Sequence, residues 1–499
     1  MPRKRKLQNY DSVVPSRRQR KLTANDVNGK LRLFKQKPTT QVCRVAGARN
    51  ISALQLKSPN EEPKRADLRK ERWIQKRGHA ITFAGLYVFT FLVYFRPYEL
   101  FPTLSWLSKS ALVVALITIA AFIPTQLGLE NRITAKPLEI KLVFALVVTG
   151  LLSIPLALDP ARAFQSFTEY LKVVVMFVVL VNVIRTPKRL TNLILLVLVA
   201  SCVLSLGALN DYRLGNLALQ GRRIAGVIGG LFSNPNDLAL HLVTMIPISF
   251  GLMLGSRSFL KKCLYLGCAV LLMAGMVATF SRGGFLGFVC VVAFLVWKFA
   301  PRHRLVFGVV ASVALVATIA LAPGGYRNRL SNINDASAVA RTDDLKRSIV
   351  VAARHPVFGV GMDNYIIYSN VNKTTHNAYT QVAAEMGVFA LLVYVAFLVT
   401  PFRRLKRLEQ ATEKEKVKPS IYYLAIGLQA SLVAYMVISF FASVAYLWYA
   451  YYLVAYCVCL RRIYAVSFPE SHSNLPEVSL LNTSNANLRP TNVALPGEL

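Results

Sequence analysis

The stretch Lys373–Tyr394, KTTHNAYTQVAAEMGVFALLVY, passes from a polar loop into an apolar helix, with His376, Asn377 and Glu385 at the entrance. Reading its second half as a membrane helix decides the fold, and the composition supports that reading. Of 499 residues, 54% are hydrophobic. The mean hydropathy is +0.43, and the apolar runs approach the roughly 20 residues needed to cross a bilayer. A soluble domain of this length does not read that way. The runs lie at 79–95, 106–124, 140–158, 166–184, 190–209, 236–254, 259–279, 284–300, 304–322, 386–402, 421–440 and 443–460. They predict an all-α polytopic membrane protein with about twelve transmembrane helices.

Lys and Arg set the expected orientation. Residues 1–79 hold 22 Lys/Arg against 6 Asp/Glu, so this tail carries +16 of the formal +35. Such a segment stays in the cytoplasm, and twelve spans return the C-terminus to the same side. Threaded this way, the inner loops hold 18 Lys/Arg and the four short outer loops hold 3, in accord with the positive-inside rule. The expected organisation is a basic, disordered cytoplasmic tail over 1–78, a transmembrane domain over 79–462 with long periplasmic loops at 210–235 and 323–385, and a polar, disordered cytoplasmic tail over 463–499.

The first apolar run follows about 79 polar residues, so no cleavable signal peptide is read. The tail is expected to lie on anionic lipid. No nucleic-acid recognition module accompanies its charge, so nucleic acid is not an expected partner. Cys43 lies in the tail, and Cys202, Cys263, Cys268, Cys290, Cys457 and Cys459 lie in or at the ends of spans. No disulfide framework is expected from that placement. Asp343-Asp344 reads as a solvated helix face, so no metal site and no cofactor are expected.

Arginines concentrate in the outer segments. Arg282, in the turn Thr279-Phe-Ser-Arg-Gly-Gly284 between two spans, has little room to reach solvent elsewhere. Ionisable groups in such places are functional candidates. A guanidinium fork suits phosphate oxygens, and Gly283 and Gly284 would let the backbone approach a bulky anion, which points to a diphosphate.

Arg222-Arg-Ile-Ala-Gly, Phe232-Ser-Asn-Pro-Asn-Asp237, Thr279-Phe-Ser-Arg-Gly-Gly284, His355-Pro-Val-Phe-Gly-Val-Gly361 and His376-Asn-Ala-Tyr379 occur in that order. In this the chain resembles the O-antigen ligase and polymerase superfamily over residues 80–460. The last motif of that family runs His, then Asn, Ser or Gln, nine residues, Gly, two residues, and Gly, Thr or Tyr. His376, Asn377 and Gly387 match it and Ala390 departs from it. The resemblance implies an enzyme of the bacterial inner membrane that serves lipopolysaccharide or polysaccharide biosynthesis. An undecaprenyl-diphosphate-linked glycan would be its donor, and lipid A core, a glycan or another hydroxyl its acceptor.

On that footing His376 is the expected general base, since an imidazole titrating near neutrality suits removal of a hydroxyl proton. Arg282 and Arg223 are expected to bind the departing diphosphate, with Arg222 the alternative to Arg223. Asn377, Arg341 and Gly283 complete the expected substrate contacts. Glu385, nine residues past His376, faces another side of a continuous helix and reads as a packing or supporting group. Glu169 and Lys172 can pair at i and i+3, as a structural ion pair or a substrate contact, and His355 shapes a turn. In-line attack would invert the anomeric centre, and fixed arginines would replace a metal. Ligase and polymerase share these motifs. A lipid-linked oligosaccharide flippase of twelve helices is the other class, but it would show two similar halves and a charged central cavity. Here the polar groups gather at one face.

Overall fold

The computed structural model describes residues 78–100, 102–216, 224, 232, 234–320, 336–369, 374–414 and 419–467. Among these residues all regular structure is helical. Twelve long helices follow in order: α1 Ala80–Phe95, α2 Ser110–Glu130, α3 Leu138–Ser153, α4 Pro160–Val183, α5 Pro187–Leu214, α6 Pro235–Gly255, α7 Phe259–Ala278, α8 Arg282–Ala320, α9 Ala336–Arg354, α10 Ala378–Lys414, α11 Pro419–Ile438 and α12 Trp448–Ser467. Short helical turns join several of them.

These twelve helices are not the twelve expected spans. Ten segments among the described residues are long and apolar enough to cross a membrane, which makes the chain a multi-pass membrane protein. The expected spans 284–300 and 304–322 belong to one helix, α8, of 39 residues, and its part Arg282–Phe299 is among the ten. The expected span 443–460 corresponds to α12, which is not among them. Tyr449, Tyr451, Tyr452, Tyr456, Tyr464, Arg461 and Arg462 make it less apolar. It is nevertheless packed inside the protein, with 16 of its 20 residues buried against α4, α5, α10 and α11. Its environment is other helices, and that environment accepts phenols and arginines that lipid would not.

Two boundaries are corrected. The expected loop 323–385 contains α9, and the helix expected to start at residue 386 already starts at Ala378. Its break falls at Gly387, where φ is 90° and ψ 172°, a backbone shape open essentially to glycine alone. Asp344 is also corrected, being buried at 6% exposure rather than on a solvated face. The Glu169–Lys172 pair forms, between two exposed side chains.

Candidate active site

Three helices start at one end of the bundle, and each start is capped by a side chain. Asn234 receives the Asn236 N–H at the head of α6 at 2.9 Å, with Pro235 at the first helical position, where its missing N–H does no harm. Ser281 Oγ receives the Gly284 N–H at the head of α8 at 3.2 Å. Asn377 Oδ1 receives the Tyr379 and Thr380 N–H groups at the head of α10 at 2.8 and 3.1 Å. The first two heads are tied together, because Ser281 Oγ also donates to Asn236 Oδ1 at 3.0 Å.

A single turn, residues 439–443, borders the heads of α8 and α10. A Cβ on Gly283 would stand 3.1 Å from Phe441 Cβ. Thr375 Oγ1 meets Ser443 Oγ at 3.1 Å, and the Tyr379 hydroxyl donates to Met436 O at 2.8 Å while accepting from Ser439 Oγ. Gly283 and Thr375, the chain neighbours of Arg282 and His376, therefore border the same turn. What surrounds Gly283 and Gly284 is helix packing, since a Cβ on Gly284 would come within 2.8 Å of Ala239 Cβ.

Arg282 is the first residue of α8 and is half-buried. A cation at a helix N-terminus opposes the macrodipole. An anion placed there would gain from the guanidinium and from the helix start together. His376, also half-buried, has φ 51°, a left-handed conformation uncommon outside glycine. Phe280, two residues before Arg282, has φ 54°. Backbone strain thus falls within two residues of both chemistry-bearing side chains, as at many functional sites.

The HPVFGVG motif explains the break in α10. Past Gly387 the Val388 N–H turns to Pro356 O at 2.8 Å. The carbonyls of Ala384 and Glu385 then accept from Val360 and Gly361 N–H, both at 2.9 Å. The motif supplies the hydrogen bonds that the broken helix lacks. Glycine is required on both sides, since a Cβ at Gly359 would lie 2.3 Å from Glu385 C and one at Gly387 2.2 Å from Val357 O. The loop is held in turn by α4: Asn364 Oδ1 receives the Asp159 N–H at 2.8 Å, and Arg162 Nε donates to Asp363 at 2.9 Å. His355 is exposed at the start of the motif, and its carbonyl accepts from Gly359 N–H. Ala390, the departure from the family pattern, is fully buried.

Arg222 and Arg223 lie outside the described residues. Arg341 is half-buried on α9, which packs on α10. Residue-by-residue reading missed Gln381, Tyr446 and the Ser281–Asn236 tie. Gln381 had a signal: Asn377, Gln381 and Glu385 are spaced i, i+4, i+8 at the start of an otherwise apolar helix.

Among the described residues no group of His, Cys, Asp and Glu is arranged to hold a metal ion. A search of curated proteins returns no match. A family model described as Wzy_C, O-antigen ligase, matches residues 267–395, the segment that contains Arg282, the HPVFGVG loop, His376 and the break at Gly387. Over that segment the chain is shown to be similar to the O-antigen ligase superfamily.

Proposed function

We propose that the protein transfers a glycan from an undecaprenyl-diphosphate carrier to an acceptor hydroxyl at the periplasmic face of the bacterial inner membrane, with both termini in the cytoplasm. The observation that supports this reading is that an arginine at a helix N-terminus and a strained histidine at a neighbouring one are the chain neighbours of Gly283 and Thr375, which border the same 439–443 turn. Arg282, aided by Arg223 or Arg222, holds the diphosphate and takes up the charge that grows on it as it leaves. His376 removes the proton of the attacking hydroxyl. Asn377, whose carbonyl oxygen is committed to the helix cap, orients the helix start next to His376. Gly283 keeps the head of α8 close to its neighbours, and Arg341 grips the donor or the acceptor. The anomeric centre is inverted and no metal takes part.

Two measurements test this. Purified full-length protein should transfer glycan from the lipid-linked donor in excess EDTA at close to its untreated rate; activity lost with EDTA and restored by magnesium would show that the arginines are not the electrophilic catalysts. Deleting the gene separates ligase from polymerase. Full-length chains accumulating on the carrier mark a ligase that moves glycan to lipid A core or another acceptor, whereas single repeats mark a polymerase.

A further inference from the structure

The 439–443 turn leaves one aromatic ring in the open. Phe440 is 46% exposed, whereas Ser439 and Ala442 are buried and Phe441 and Ser443 half-buried. A ring at the end of a membrane helix ordinarily meets lipid, but α11 is enclosed by its neighbours. It packs against α6, α8, α10 and α12, and 13 of its 20 residues are buried. Its end at Ile438 opens among the helix starts of the candidate site.

Contacts on both sides fix where the ring stands. Phe441, the next residue, borders Gly283 at the start of α8. Ser443 meets Thr375, the residue before His376, and the chain from Phe440 to Ser443 spans at most about 11 Å. The Phe440 ring lies 6.4 Å from the Tyr379 ring in the first turn of α10, and 5.4 Å from the Phe441 ring. Tyr379 is anchored in turn, because its hydroxyl donates to Met436 O and accepts from Ser439 Oγ. Phe440 is thus held on a turn that the chain neighbours of Arg282 and His376 both border, and nearly half of it stays uncovered.

The proposed chemistry says what belongs there. In glycan transfer the anomeric carbon stands between the diphosphate and the attacking hydroxyl, because its bond to the one breaks as its bond to the other forms. The sugar ring that carries this carbon therefore lies between the group that holds the diphosphate and the group that takes the proton. A pyranose turns its hydroxyls outward from its edge and shows C–H groups on its faces. Those C–H groups are weakly positive, and the face of a phenyl ring is negative.

We propose that Phe440 is the stacking platform for the carrier-proximal sugar of the donor, the ring attached to the diphosphate. The inference rests on the proposed transfer reaction and adds a sugar-binding residue to it. A flat apolar ring also selects among sugars: one with an uninterrupted C–H face stacks on it, and one with an axial hydroxyl on that face stands off.

The test uses full-length protein in lipid nanodiscs and two probes, the lipid-linked glycan extracted from cells lacking the gene and undecaprenyl diphosphate without sugar. Phe440→Leu keeps the apolar bulk but loses the aromatic face. It should weaken binding of the first probe by about three- to tenfold and leave the second unchanged. Phe440→Trp should bind the first probe at least as well as wild type, and its added emission should change on binding. Equal losses for both probes would put the prenyl chain on the ring, and no loss for either would leave the sugar elsewhere; both results overturn the platform. If Phe440→Leu does not fold, an added tryptophan emission that is indifferent to the lipid-linked glycan overturns it instead. Wild-type transfer with Phe440→Leu binding and transferring equally well sinks the platform alone, whereas wild type that neither binds the sugar-bearing probe more tightly nor transfers its glycan sinks the transfer reading with it.

Discussion

The two ends of the bundle handle buried charge in opposite ways. At the end away from His376, the fully buried Glu139 receives both Nη groups of Arg461, at 2.6 and 3.2 Å, and Arg404 at 3.4 Å. Glu409 holds Lys298 and receives Gln429 Nε2. Three arginines serve the last carbonyls of α4, Arg462 on Val181, Arg185 on Asn182 and Arg189 on Val183, where positive charge complements the helix dipole. At the His376 end, Arg282 stands against its own helix dipole, Glu385 is in no ion pair among the described residues, and His376 and Phe280 sit in left-handed backbone. The first end is closed by its own pairs. The second gathers the helix starts that carry Arg282 and His376.

The sharpest way to break this contrast is to compare equal-sized changes at the two ends. His376→Gln should lower turnover by roughly 10²–10⁴ at unchanged donor binding and unfolding temperature, whereas Arg404→Gln should leave turnover per folded molecule unchanged. Arg461→Met should do the reverse. Leaving Glu139 buried without its main partner should destabilise the fold by about 3–5 kcal/mol, and the double variant Glu139→Leu, Arg461→Met should recover most of that in chemical unfolding. If the single variant unfolds like wild type, the pairing at that end is not what closes it.

Gly387→Ala tests the junction between scaffold and site. Its positive φ and the nearby Val357 carbonyl should together impose at least about 1–3 kcal/mol of strain and displace the 355–361 loop, measurable as faster proteolysis there. Asn377→Ala should be milder, removing a helix cap worth about 1 kcal/mol, measurable as a lower unfolding temperature. The smallest effect concerns His79, which precedes α1 and bonds Gln126 beside Arg185. Burial, reinforced by Arg185, lowers its pKa from 6.5 to about 4, so the fold favours the neutral ring. Its contribution is present above pH 6.5 and is lost as pH falls from there through about 4. His79→Gln should flatten that part of the stability profile without altering turnover at neutral pH.

Hydropathy and charge determined by themselves that the chain is helical and multi-pass, because long apolar runs satisfy their backbone internally whatever surrounds them. The ordered motifs also marked Arg282 and His376, since their residue types carry their chemistry with them. Tertiary packing decided the rest. Whether α12 faces lipid or protein depends on its neighbours, not on its own tyrosines. The start of α10 at Ala378 depends on a cap and on a loop 20 residues upstream that replaces the hydrogen bonds lost at Gly387. The pairing of Glu139 with Arg461, 322 positions apart, and the burial of Glu385 outside any ion pair among the described residues are properties of who stands beside whom, which a linear sequence does not record.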